Sequence, residues 1–248
     1  MKLFARFFLI LLLFAMLPVM ALGVWMLTQR QVLADNARAL HSRMAVLAAD
    51  VAERTAEQLN RTLVVIEDVD RARGSEKLEA AALRKAAASD PNVALIAILD
   101  KEGKETFRVA DPEYFAADAL PDRSKEEAFV DSKRMSRLML GAPYILNEVP
   151  LLPAAHPLVD GRTVYVAYSL RTLGRRLAKL SKGAAGRGKV LFVDAEGKPV
   201  PGLGDEPPTK DWKLETKDKE GWLDDLPAPE GAYIAAFSLA PATGLRAV

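Results

Sequence analysis

The chain contains no cysteine, which excludes disulfides, thiolate metal sites and cysteine nucleophiles and leaves stability to packing. It has only two histidines, His41 and His156, far apart and without carboxylates clustered at ligand spacing. A structural transition-metal site usually needs three or four such ligands, so no metal and no cofactor are expected. Ser169 and Ser238 lack the context of an activated nucleophile. Gly141, Gly202 and Gly204 read as turn glycines rather than a phosphate loop, because no helix opening with Lys-Ser or Lys-Thr follows them. No enzymatic centre is expected. The net charge is only +1, and no basic stripe interleaved with aromatics is present, so nucleic acid is not an expected partner.

What the chain does have is an apolar run, residues 7–27, preceded by Lys2 and Arg6 as the only charges. As a helix rising about 1.5 Å per residue, this run reaches roughly 30 Å, the thickness of a bilayer core. A cleaved signal peptide shares the basic start but carries a shorter apolar core ending at a small-x-small site. Ala21 and Gly23 have that spacing, yet the run continues through Leu27, so the length favours an uncleaved membrane anchor. Lys2 and Arg6 place the N-terminus inside, against a weaker opposing charge at Arg30, and the bulk of the chain outside the cytoplasm.

Residues 29–73 contain no proline and no glycine and are rich in Ala, Leu, Arg, Glu and Gln, which predicts one long helix leaving the membrane. Leu33, Ala37, Leu40, Met44, Leu47 and Val51 advance in alternating steps of four and three, and Thr55, Leu59, Leu63 and Ile66 continue the seam. Two readings are open from spacing alone: a helix packed on its own domain, or a homodimer stalk. Ser75 is a candidate N-cap for a second helix ending at Asp90-Pro91.

The period then changes. Residues 93–99 predict a strand, Asp100-Lys-Glu-Gly103 a turn and 104–109 a return strand. Helical pieces are expected at 125–130 and 133–140, a third strand at 142–147, a proline-bearing loop at 150–157 and a strand at 163–169. On that last strand Val164, Val166 and Tyr168 share one face, and Thr163, Tyr165 and Ala167 the other. Leu170, Leu173, Leu177 and Leu180 predict a helix ending near Gly183, followed by a glycine-rich linker to Gly188. The hairpin grammar then returns: Asp194-Ala-Glu-Gly197 repeats Asp100-Lys-Glu-Gly103 between an apolar residue and a Lys. A shared origin and coincidence in a common turn both remain open. Residues 205–230 predict loop with an edge strand at 212–215, and 233–239 and 245–248 predict the last strands.

This order of elements, with Val93-Ala-Leu-Ile-Ala-Ile-Leu-Asp-Lys-Glu-Gly103 and Gly161-Arg-Thr-Val-Tyr-Val-Ala-Tyr-Ser-Leu170, resembles the double Cache sensor family over residues 28–248. Members are the extracytoplasmic input modules of bacterial chemoreceptors and sensor kinases. The resemblance implies an α+β fold with an N-terminal transmembrane helix, a long stalk helix and two PAS-like antiparallel-sheet subdomains in tandem. The implied division is 1–28 cytoplasmic tip and transmembrane helix, 29–73 stalk, 74–182 membrane-distal subdomain with linking helix, and 183–248 membrane-proximal subdomain. It further implies a small-ligand pocket between the sheet floor at 163–169 and a covering segment at 111–144, and a single-pass protein of the bacterial inner membrane. Amino-acid-binding members carry an Arg followed closely by Trp and Tyr before the third strand. Here Arg123 is followed by Ser124-Lys-Glu-Glu127, a departure that does not favour an amino-acid ligand.

A buried pocket needs a few convergent polar groups on an apolar floor. The candidates are Arg108, Tyr114, Arg123, Arg134, Tyr144, Tyr165 and Tyr168, the arginines as forks for a carboxylate or phosphate and the tyrosines as apolar faces with a hydroxyl. Arg134 also reads as part of a solvated helix face, and Tyr168 as core beside Val164 and Val166. Between Gly161 and Val193 stand eight Lys or Arg and no acid, while acids crowd into 205–230, which suggests complementary packing between the two. The expected function is a membrane-anchored sensor, dimeric through the stalk, that binds a small molecule, with an anion as one option and the ligand's identity left open. The alternative is an anchored extracytoplasmic interaction or dimerisation protein without a small ligand.

Overall fold

The computed structural model describes residues 2–71, 76–115, 120–183, 189–209, 211–228 and 231–248. The expected N-cap Ser75 and most of the glycine-rich linker lie outside the described residues. Helix α1 (Lys2–Arg71) is continuous through Pro18, and α2 (Glu76–Ser89) ends at Asp90-Pro91, where proline cannot extend it. Among the described residues no helix is long and apolar enough to cross a membrane. The side chains of 7–15, much of the expected span, lie outside that description.

Two antiparallel sheets follow, giving an α+β fold with tandem sheets. The first is built from β1 (Val93–Leu99), β2 (Glu105–Ala110), β3 (Met139–Leu140), β4 (Tyr144–Leu146), β5 (Val149–Pro157) and β6 (Thr163–Ser169). Its order is β2-β1-β6-β5-β3, with β4 also on β5. The second contains β7 (Leu191–Val193), β8 (Pro199–Gly204), β9 (Glu220–Ala228), β10 (Gly231–Ala240) and β11 (Leu245–Ala247) in the order β8-β7-β11-β10-β9. In both sheets, therefore, the first hairpin sits beside the last strand. Helix α3 (Glu127–Met135) covers the first sheet, and α4 (Arg171–Gly183) links the two.

The two hairpins match in detail as well as order. The Gly103 and Gly197 amides donate to the Asp100 and Asp194 carbonyls at 3.2 and 3.0 Å. Each glycine carbonyl then accepts an amide from a segment crossing the sheet, Arg123 at 2.9 Å and Leu214 at 2.8 Å. Shared turn, crossing bond and strand order together favour a structural repeat over coincidence.

Several expectations are corrected. The two helical pieces at 125–130 and 133–140 are one helix, α3, and Leu140 is in a strand. The proline-bearing stretch 150–157 is not a loop but β5, inside the sheet. Pro150 and Pro157 stand near its ends. The Pro153 carbonyl accepts from the Gly141 amide at 2.9 Å in the gap between β3 and β4, where no strand opposes its missing N–H. Gly202 and Gly204 lie within β8 at positive φ of 71° and 104° rather than in a free turn. The edge strand expected at 212–215 is irregular chain whose Trp212 and Leu214 are buried, and the edge strand is β9, in the stretch expected as loop.

One core runs under both sheets. Ala48, Ala52, Leu59, Leu63 and Ile66 of α1 pack in one cluster with Ile96 and Val166 of the first sheet and Phe192 and Leu245 of the second. The expected seam therefore splits. Met44, Leu59, Leu63 and Ile66 face the chain's own core, whereas Leu33, Leu40 and Leu47, seven residues apart, are 65%, 47% and 51% exposed. On α4, Leu173 and Leu177 face inward and Arg175 and Arg176 are solvated. Arg171 pairs at 3.1 Å with Glu113 of the distal covering segment, not with the acids of 205–230.

Candidate ligand-binding site

The site begins with a register shift. Between β1 and β2, Ile98 is opposite Phe107 but Leu99 is opposite Glu105, so Thr106 is an extra residue. Simple alternation would put Glu105 with Phe107 and Val109 on the face toward α1. The bulge turns it to the other face, where Arg108 projects three residues on. Arg123 reaches the same place from the covering segment, held by its amide on the Gly103 carbonyl.

These three side chains form a buried charge cluster. Arg123 Nε donates to Glu105 Oε1 and its Nη1 to Glu126 Oε1. The Arg123 guanidinium also lies 4.3 Å above the Tyr165 ring. Arg108 Nη1 is 3.6 Å from Glu105 Oε2. The Arg108, Arg123 and Glu105 side chains are 7%, 8% and 0% exposed, while Glu126 is 36% exposed at the rim. Deep in the wall, two cations therefore face one carboxylate. Arg108 Nε and Nη2 are buried without a hydrogen-bond partner, as is the Tyr165 hydroxyl.

Burial works against the Arg123 charge, but Tyr165 and the carboxylates of Glu105 and Glu126 outweigh it and raise its pKa. Burial holds the Tyr144 and Tyr165 phenols above the ordinary tyrosine value, against the opposing pull of Arg123.

Above this cluster opens a cavity of about 600 Å³ between the sheet and the covering segment. Arg108, Tyr114, Arg123 and Tyr144 line it, with Glu126 and Pro153. That volume lies in the range of small-molecule sites, roughly 300–1,000 Å³. Tyr165 is the buried floor beneath Arg123 rather than part of the lining. Two candidates are elsewhere. Arg134 is 69% exposed on α3 and pairs with Asp131 at 2.8 Å. Tyr168 projects from the opposite face of β6, where its hydroxyl donates to Asp90 at 3.0 Å. Among the described residues no group of three or more His, Asp or Glu could hold a metal ion.

Sequence reasoning missed Glu105 and Glu126, the partners that decide what each arginine can do. A buried Glu in a strand is rare enough to notice once its burial is known. The bulge that buries it carries no signal in Lys104-Glu-Thr-Phe-Arg108. Among the described residues of the second sheet no such cluster stands at the matching place, where Trp212, Leu214 and Phe237 pack on Leu191 and Val193.

No protein-family model matches the chain, and no curated protein matches it. Solved structures do. The ligand-binding domain of Mlp24 with asparagine aligns at 15% identity over 86% of this chain and 92% of that one, TM-score 0.59. That of the Pseudomonas aeruginosa PAO1 amino acid chemoreceptor PctC with GABA aligns at 16% identity over 83% and 95%, TM-score 0.60. An extracellular ligand binding receptor from Desulfohalobium retbaense aligns at 11% identity over 82% of this chain, TM-score 0.60, and the chain spans 38% of that receptor's length. The chain thus shares its fold with extracellular ligand-binding domains of chemoreceptors.

Proposed function

We propose that this protein is a membrane-anchored extracytoplasmic sensor of the double Cache type, which binds a small molecule in the distal cavity and relays the event through its helices. The observation that carries this is the cavity over the first sheet, walled by two buried arginines and open where the second sheet is filled. The domain division proposed is that of the sequence: tip and membrane helix to 28, stalk to 73, distal subdomain to 182, proximal subdomain beyond. From Met16 to Leu27 every large apolar side chain is more than half exposed, which supports residues 7–27 as a single-pass anchor in the bacterial inner membrane. The exposed stripe Leu33, Leu40 and Leu47 supports a homodimer through the stalk.

Relay needs a ligand with different affinity for two arrangements of the helices. A hydrogen-bonded junction stands between floor and stalk. Asp90 accepts from Tyr168 at 3.0 Å and from Gln58 of α1 at 3.2 Å, and Asn92 accepts from Thr172 of α4 at 2.7 Å.

A thermal-unfolding screen of the full chain in detergent against organic acids, amines and nucleobases tests the proposal. Stabilisation by a member of one class is the expected result, and no shift with any compound would count against sensing. The alternative, an interaction protein without a small ligand, draws support from the tight packing of Tyr165 and Tyr168. It leaves the cavity unexplained.

A further inference from the structure

With residues 7–27 read as the membrane anchor, α1 becomes a ruler for the height of everything packed along it. Two contacts place the second sheet on that ruler. The Ala242 amide, just past β10, donates to Glu53 Oε2 at 3.0 Å. Six residues back along the chain, Ala236 pairs with Trp222 of β9, and Trp222 borders a cleft with Asp35, Arg38 and Ala39 of α1. Between these contacts the strand covers about 20 Å at roughly 3.3 Å per residue, and the helix about 24 Å at roughly 1.5 Å per residue. Strand and helix therefore run side by side, and β10 begins at the membrane end.

Beyond Trp222 the hairpin continues toward the anchor. Its register runs on through Leu226 opposite Tyr233 and Pro227 opposite Ala232 to Ala228 opposite Gly231. From Ala236 to Gly231 is about 16 Å of strand, which equals about 11 residues of α1. The hairpin end therefore stands level with about residue 26, where the apolar run gives way to Thr28 and Gln29. Composition changes on the way down. Asp224 and Asp225 together oppose the single residue Ile234, a bulge that closes the acidic part of β9. Residues 226–234 then carry one charge, Glu230, among leucine, isoleucine, tyrosine, prolines, alanines and glycine.

We propose that the end of the β9–β10 hairpin, residues 226–228 and 231–233, rests in the headgroup layer of the extracytoplasmic leaflet, a second membrane contact beside the anchor. A tyrosine among short apolar residues suits that layer, which is about 5–8 Å thick. The hydrocarbon is closed to it, because a hairpin end leaves backbone groups that need water. No cation stands between Glu220 and Ile234, so the contact favours zwitterionic over anionic lipid. The second sheet thus meets the bilayer at two places, and tilting of α1 presses the hairpin against the lipid surface.

Because the chain has no cysteine, single spin labels report depth cleanly. The test places them on Ala228→Cys, Ala232→Cys, Ala195→Cys and Met20→Cys of the full chain in phosphatidylcholine vesicles, read by accessibility to oxygen and to a water-soluble nickel chelate. The labels at 228 and 232 are expected within about 8 Å of the hydrocarbon boundary, the one at 195 in water and the one at 20 in hydrocarbon. Adding Tyr233→Glu, or mixing phosphatidylglycerol into the vesicles, should move the label at 228 outward into water. Labels at 228 and 232 as accessible to the chelate as the one at 195, with the label at 20 in hydrocarbon, would overturn the hairpin contact and leave the anchor standing. A depth at 228 that neither the variant nor the anionic lipid changes would also overturn it, since the stalk alone would then set the height. A label at 20 in water would overturn the anchor and the hairpin contact together.

Discussion

At the scale of single residues, the buried cluster sets the sharpest expectations. Glu105 is fully buried and its hydrogen bond comes from Arg123. Arg123→Met should therefore cost about 3–5 kcal/mol in urea unfolding, because a buried carboxylate loses its main partner. A loss under about 1 kcal/mol would mean that Arg108 takes over the role. Tyr165 gives a pH signature. Burial raises its folded pKa above the unfolded value of about 10, so the stability it lends is complete below pH 10 and is lost as pH rises through the folded value. Urea midpoints should hold between about pH 8 and 9.5 and fall above 10. Tyr165→Phe, which removes the titrating hydroxyl, should flatten that fall. An unchanged slope in the variant would assign the alkaline loss to other groups.

At the scale of elements, the repeated hairpin is held by its glycines. Gly103 and Gly197 have φ of 95° and 81°, and a Cβ on them would lie 2.6 Å from Ser124 Cα and 2.2 Å from Leu214 O. Left-handed backbone alone costs a residue with a side chain about 1–2 kcal/mol. Gly197→Ala should therefore cost more than that, read as a lower urea midpoint, since its clash is with fixed backbone. A neutral result would mean that the crossing segment yields freely. Helix α1 carries two stripes with opposite expectations. Leu59→Ala or Leu63→Ala should cost about 2–5 kcal/mol of folding stability. Leu40→Ala and Leu47→Ala should leave folding within about 0.5 kcal/mol and instead weaken self-association in sedimentation. Loss of fold stability without loss of association would remove the stalk dimer.

At the scale of the whole molecule, the continuous core makes α1 the spine of both sheets, so a change at the distal floor has a packed route to the second sheet. The polar junction at Asp90 is its one charged crossing among the contacts described above. Asp90→Ala leaves Tyr168 and Gln58 without their acceptor and should lower stability by about 2–3 kcal/mol, while Asp90→Asn should recover part of it. Equal losses in the two variants would show that charge rather than acceptor geometry matters there.

Local sequence determined α1, α2 and α4, most strands and both turns, whereas α3 reads from sequence as two pieces. Proline-free periodicity, alternation and Asp-x-x-Gly act between near neighbours and need no tertiary context. The exceptions are instructive. Three prolines hid β5, because they fall near strand ends and in a gap that only the assembled sheet creates. The acidic, proline-bearing composition of 205–230 hid β9 in the same way. For the cavity, the sequence supplied Arg108, Tyr114, Arg123 and Tyr144 by residue type, together with Arg134 and Tyr168, which face elsewhere. Tertiary structure alone decided which arginine is satisfied. That depends on a one-residue register shift in β2 and on a covering segment that brings Arg123 and Glu126 to Glu105, and pairing of buried charges is set by such long-range geometry rather than by neighbouring residues.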